Sequence, residues 1–415
     1  MNSSQTHLPS LFGSLLFLLG AVFFFSIGLV MGVTALASLL IGETVQANQT
    51  IFFLAFGFEG LILLIATFIS FQKFLNKPSV EQNFLFSISA KQIALCVIIT
   101  AIAIIIGSQI SSIDSLNWIV LPLLTIPAVV LPLWLLLGLT VQKLPFGSRW
   151  QTWNVLGLGM TLGPIILITL EAAVIIIGFI GVIVYIVTQP ELIREVERLS
   201  NEIVLLGPNS EKAIDLIAPY LTQPGVIVGA LLYFALIIPA IEEIFKPIGV
   251  WLLAGKLESP AQGFVLGALS GAAFALAETF GVSGQTNDWA VLLLTRIGTG
   301  ILHITTSALM GAAIVLAWRE RRYLQLIGNY ILVVALHGLW NALAIVFTFS
   351  TLMELLDQQG LLRTWQLPVS ISMSLLAMGM FALLLMYNRK LRNAQADVLG
   401  GALSDDASLR TPPSA

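Results

Sequence analysis

Soft and imidazole metal ligands are scarce in this chain, which has one cysteine, Cys96, and three histidines in 415 residues. A lone thiol excludes an intrachain disulfide framework and any CxxC metal site. Charge is equally thin. Only 10% of the residues are Asp, Glu, Lys or Arg, and no basic cluster interleaved with aromatics occurs, so the net charge of −3 offers nothing to a nucleic acid. No stretch reads as a long soluble domain. Apolar surface takes the place of charge: 57% of the residues are hydrophobic and the mean hydropathy is +0.96. That composition belongs to polytopic membrane proteins, and a multi-pass location in the plasma membrane is expected.

Apolar runs long enough to cross a bilayer lie near Leu11–Leu40, Ile51–Ser70, Gln92–Ile110, Leu116–Leu139 and Leu156–Val187. A second series lies near Val226–Leu253, Gly263–Val282, Ala290–Trp318, Leu326–Phe349 and Leu367–Tyr387. These ten runs predict an all-α fold of about ten transmembrane helices. The first run shows no small-residue cleavage site, and Met1–Ser10 carries no Lys or Arg, so it reads as a retained span rather than a secretory signal. With the N-terminus inside, the inner loops hold twelve basic residues and the outer loops four, including Arg194, Arg198, Lys212 and Arg363. That bias predicts an N-in, C-in topology.

The longest loop, residues 189–224, places Leu192, Val196, Leu199 and Ile203 at helical spacing among charges, which suits an amphipathic helix on the extracytoplasmic surface. It divides a five-span N-terminal module (1–188) from a core (225–349) and a last span (350–392), with a disordered cytoplasmic tail expected over 393–415.

Chemistry is unevenly shared. The first five spans carry only Glu59 and Glu171 as mid-span acids and a Gly28-xxx-Gly32 pair, all read as packing. The sixth span holds Glu242, Glu243 and Lys246 between Pro239 and Pro247. An ionised side chain at the bilayer centre costs roughly 2.5 to 3.5 kcal/mol on insertion scales, so these three need partners or a wet cavity. Glu242 and Lys246 are four apart and Glu243 and Lys246 three apart, which puts each pair within reach on a helix. The seventh span has the stripe Gly263-xxx-Gly267-xxx-Gly271, then Phe274 and Glu278. Arg296 and His303 share a face of the eighth span, and His337 and Asn341 share a face of the ninth. The third histidine, His7, falls in a start that reads as disordered.

Four consecutive helices thus offer carboxylates, imidazoles, an amide, a lysine and an arginine. Peptide hydrolysis needs a water activated by a carboxylate or metal and donors for the oxyanion. Two versions stay open. Glu243, His303 and His337 would suit zinc, with three protein ligands and one open position. Alternatively Glu242 or Glu243 acts as base without metal, helped by His303, with His337 and Asn341 as oxyanion donors.

The order Glu242-Glu243-xx-Lys246, Phe274-xxx-Glu278, Arg296 with His303, and His337-xxx-Asn341 resembles the PrsW family of intramembrane proteases, itself similar to the CAAX prenyl protease and bacteriocin-processing group. The resemblance covers residues 226–349. It implies an intramembrane endopeptidase of the metalloprotease type, with zinc as the expected ion, cutting a membrane-protein substrate near the extracytoplasmic side. It also implies a catalytic set of Glu242, Glu243, Glu278, His303, His337 and Asn341, with Lys246, Arg296 and Phe274 in support. Thr279 stands where the family often has Asn, and Asn341 where other members have Asp. Two other classes compete: a non-catalytic membrane scaffold of the same superfamily, and an ion-coupled transporter. The transporter would require matching helix breaks in both halves, and no counterpart of the Pro239–Pro247 interruption stands in the first five spans.

Overall fold

The computed structural model of the chain describes residues 7–84, 86–207, 210–221, 223–284, 288–355 and 364–409. Arg363, the start before His7 and the tail from 410 therefore lie outside the described residues. Ten helical stretches among the described residues are long and apolar enough to cross a membrane, and every expected span falls on one of them. The first four are α1 (Leu8–Ile41), α2 (Ala47–Phe74), α3 (Ala90–Ile110) and α4 (Asp114–Val141). The fifth is built from α5 (Arg149–Met160) and α6 (Leu162–Val187). The loop that follows forms two helices where one was expected, α7 (Pro190–Leu206) and α8 (Glu211–Leu221). The sixth span is assembled from α9 (Pro224–Leu232), a π-helical turn (Tyr233–Ile237), α10 (Ile238–Phe245) and α11 (Ile248–Leu253). Then come α12 (Pro260–Val282), α13 (Trp289–Glu320), α14 (Tyr323–Leu355) and α15 (Gln366–Leu409). The protein is an all-α, multi-pass membrane protein.

Prolines explain the interruptions. Pro164 has no N–H for the carbonyl of Met160, and the fifth span breaks at Thr161, so the first five spans do contain a proline-linked interruption, which the sequence had not led one to expect. Pro239 leaves the carbonyl of Ala235 without its i+4 amide, directly beside the π turn, and Pro247 does the same to Glu243, where α10 stops. Within a bilayer such backbone groups must find partners in the protein.

The helices gather into two compact units, the first Met1–Pro164, Lys246–Tyr330 and Ala377–Ala415, the second Ile165–Phe245 and Ile331–Leu376. At the centre of the first stand α12 and α13. Their most apolar windows are 78% and 89% buried although they are the least hydrophobic of the ten, with mean hydropathies of 1.6 and 1.8. A span that touches only protein does not need to be lipophilic all round, and it is free to carry polar groups.

The glycine stripe brings these two helices together. A Cβ on Gly263, Gly267 or Gly271 would collide with the carbonyl oxygen of Gly311, Ser307 or His303 respectively. The backbones are therefore in direct contact, and the third contact places the backbone of His303 itself. The Gly28/Gly32 pair is packing as expected: a Cβ on Gly28 would stand 3.2 Å from the carbonyl oxygen of Phe53 on α2. Glu59 is fully buried on α2, and neither carboxylate oxygen has a hydrogen-bond partner among the described residues.

Candidate active site

In the first unit, Lys246 follows the last residue of α10, and Ser270 on α12 donates to its backbone carbonyl at 2.6 Å. This fixes the main chain from which the lysine side chain starts. Its Nζ lies 2.9 Å from His303 Nδ1 and 5.3 Å from the ring centroid of Phe274. Phe274 meets the imidazole of His303 edge-on, centroids 5.1 Å apart. The other ring nitrogen, His303 Nε2, lies 2.7 Å from Glu278 Oε2. Arg296 closes the row with Nη2 at 2.6 Å from Glu278 Oε2, Nη1 at 3.1 Å from Oε1, and Nε donating to Thr279 Oγ1 at 3.1 Å.

The direction of this row follows from its donors. An ammonium only donates, so Nδ1 of His303 accepts from Lys246 and Nε2 carries the proton toward Glu278. Arg296 holds the same carboxylate through two nitrogens, the arrangement that matches guanidinium to carboxylate geometry. His303 is 2% exposed whereas the Glu278 side chain is 38% exposed. The row therefore runs from a buried lysine to an accessible carboxylate.

The second unit holds the rest. Glu243 is fully buried on α10, and His337 of α14 places Nδ1 at 2.8 Å from Glu243 Oε1 and 3.8 Å from Glu242 Oε2. One ligand atom from each of Glu242, Glu243 and His337 lies within 4.8 Å of the other two. These three residues could bind a metal. Two carboxylates and an imidazole, nearly dry, match the donor chemistry of three-ligand hydrolytic zinc centres, so the residues present fit the ion. The group shares Glu243 and His337 with the expected metal set, and in the first unit the two ring nitrogens of His303 stand beside Lys246 and Glu278.

Asn341 sits one turn beyond His337 and donates from Nδ2 to the carbonyl oxygen of Phe234 at 2.8 Å. The π turn makes that carbonyl available, because the amide of Ile238 bonds Tyr233 instead of Phe234. A Cβ on Gly338 would collide with the next carbonyl, that of Ala235, which Pro239 deprives of an i+4 donor. The ninth span thus meets the sixth at its two displaced carbonyls.

Ser270 and Thr279 were not singled out as functional from the sequence, yet both hold a charged residue of the row. Their one signal is a hydroxyl on the most buried face of a helix of Gly and Ala. Hydroxyls in that setting are common, and only the partner identifies them.

A chain of ten membrane-crossing helices with buried carboxylate–imidazole pairs on the sixth to ninth belongs to the class of polytopic membrane proteins that keep titratable chemistry inside the bilayer. Within that class the assignment is specific: the model of the PrsW family, described as PrsW family intramembrane metalloprotease, matches residues 167–383, over half of the chain, and the chain belongs to this family. The match extends beyond the stretch that carries the motifs, taking in nearly all of α6, both loop helices and the first part of α15. No curated protein and no solved structure matches the chain. The protein is an intramembrane protease whose substrates are membrane proteins.

Proposed function

We propose that the chain hydrolyses a peptide bond of a membrane-protein substrate near the extracytoplasmic side, with Glu243 as the group that activates water. The observation that carries this reading is the pairing of a fully buried Glu243 with His337 at 2.8 Å, with Glu242 in the same group. Glu242, Glu243 and His337 are the residues that would hold a zinc ion. Bound there, zinc would supply Lewis acidity, making a water more acidic and a substrate carbonyl more electrophilic.

The chain's own residues do the rest. In the version without metal, His337 Nδ1 donates to Glu243 and holds the carboxylate that acts as base; with zinc bound, both residues would be ligands instead. A carboxylate held by an imidazole keeps one orientation, which a base needs in order to meet its proton at hydrogen-bond distance. The row of Lys246, His303, Glu278 and Arg296 is assigned proton transfer, with Glu278 as its accessible end and Arg296 orienting that carboxylate. Asn341 is assigned positioning of the sixth span through Phe234, in place of the oxyanion role expected of it.

The reading includes the N-in, C-in topology, a kinship with CAAX prenyl proteases, a substrate-docking or scaffolding role for the first five spans, and a lid or docking role for the loop 189–224. Deletion of that loop in a folded protein with unchanged cleavage would remove that last role.

The test is metal content by mass spectrometry on purified full-length protein, beside cleavage of a reconstituted single-pass substrate. Wild type, Glu243→Gln and His337→Ala are compared, each checked for monodispersity. About one zinc per chain, lost with cleavage in His337→Ala, is the expected result. Cleavage unchanged in folded Glu243→Gln would overturn the assignment of the base, and unchanged partner binding without cleavage in wild type would favour the scaffold.

A further inference from the structure

At one end of the first unit, where α2 stops and α5 and α12 start, the described residues enclose a cavity of about 410 Å³. The hydrolytic residues take no part in it. Trp150, only 5% exposed, forms part of its lining. Lys73 Nζ and Lys256 Nζ stand 5.6 and 5.8 Å from the indole centroid, and His7 meets the same ring edge-on at 5.1 Å. His7 is therefore not part of a disordered start: it is the residue before α1 and a wall of this cavity.

The walls are built rather than incidental. The loop carrying Asn83 is tied to Ser148 by a β-bridge, with Phe84 N–H on the carbonyl of Gly147 at 2.8 Å and Arg149 N–H on that of Gln82 at 2.9 Å. Gly147 holds φ at 86°, a left-handed turn that presents Ser148 to cap α5. Gln262 Nε2 donates to Gln151 Oε1 at 3.3 Å, joining the starts of α12 and α5.

Its unsatisfied groups are donors. Lys256 Nζ lies 3.5 Å from His7 Nε2, and an ammonium can only donate, so the proton of a neutral His7 sits on Nδ1. Burial, then the charges of Lys256 and Lys73, push the His7 pKa down, which keeps it neutral. Neither His7 Nδ1 nor Trp150 Nε1 has a hydrogen-bond partner among the described residues, and both atoms are buried. Of the two carboxylates lining the cavity, Glu81 is paired with Lys73, while Lys256 has no carboxylate partner among the described residues. Two buried N–H groups without an acceptor and an ammonium without a carboxylate partner thus belong to the lining of one cavity.

We propose that this cavity binds an anionic phosphate group, carried by a lipid headgroup or by a soluble ion, through Lys256, Trp150 and His7. Its place at the helix ends is where a headgroup lies, and a volume of about 410 Å³ is larger than a bare phosphate needs. The proposal is independent of the proteolytic reading.

The experiment is thermal unfolding of delipidated full-length protein in a neutral detergent, titrated separately with short-chain phosphatidylglycerol, short-chain phosphatidylcholine and inorganic phosphate. Lys256→Gln removes an exposed charge and Trp150→Phe removes the indole N–H while keeping a ring. A rise in wild-type Tm with phosphatidylglycerol, and an apparent affinity weakened about tenfold in Lys256→Gln, is the expected result. If inorganic phosphate gives the same variant-dependent rise, the source is soluble; if only the glycerol lipid does, it is the headgroup. No rise with either anion, or one equal in wild type and Lys256→Gln or equal for the choline lipid, overturns the proposal.

Discussion

His337 Nδ1 lies 2.8 Å from Glu243 Oε1, with the histidine 3% exposed and the glutamate wholly buried. A carboxylate and an imidazole that far from water depend on each other. Removing one partner of such a pair leaves an uncompensated buried charge or dipole, and the loss is typically about 3–5 kcal/mol. His337→Ala is expected to lower the Tm markedly. Glu243→Gln keeps the shape and an acceptor, so it should remain folded while cleavage falls by about 10² or more. Circular dichroism melts run beside the cleavage assay separate the two effects.

The contact of Gly271 with the carbonyl of His303 makes a sterically specific prediction. Gly271→Ala forces a methyl into a backbone that cannot give, and overpacking of this kind costs about 1–3 kcal/mol. Because the displaced group is the main chain of His303, cleavage should fall further than stability explains. Gly281→Ala, on the same helix with nothing within 4 Å of the added carbon, should leave both unchanged. Tm and single-turnover rates measured on the two variants check this.

Asn341 tests the π turn. Asn341→Asp would set a carboxylate against the carbonyl of Phe234 instead of a donor, losing a hydrogen bond worth about 1 kcal/mol and adding repulsion. A kcat effect larger than the KM effect is expected, because α10 carries Glu242 and Glu243 immediately after the turn. Asn341→Gln, which keeps a donor, should recover part of the rate.

The loop helices carry a pH dependence of their own. Hydrogen bonding from Arg198, then from Tyr220, draws Glu195 down to about 2 from its ordinary 4.5. A depressed carboxylate contributes stability above its unfolded pKa and loses it as pH falls through the folded one. The α7–α8 contact should therefore be unchanged at neutral pH and loosen between pH 4.5 and about 2. Limited proteolysis with an acid protease across that window, with Tyr220→Phe as comparison, reads it. Both partners are at the surface, so added salt should weaken the contact at any pH.

Sequence by itself determined the number and place of the spans, because apolar length is a property of the run and not of its neighbours. It determined equally the stripe of glycines on α12, and which polar residues stand on the sixth to ninth spans. Tertiary structure alone decided their partners. The i+3 and i+4 spacing suggested which carboxylates Lys246 could reach on its own helix, but nothing in the run around it points to His303, fifty-seven residues on, whose Nδ1 lies 2.9 Å from its Nζ. Likewise the sequence puts His303 on the eighth span, but only its neighbours Lys246 and Glu278 decide which ring nitrogen carries the proton. Nor could hydropathy rank the spans by burial, since it measures contact with lipid and α13, the most buried, is among the least hydrophobic. A side chain's chemistry is written in its residue type, but the proton it holds is set by whichever group from another helix stands within 3 Å.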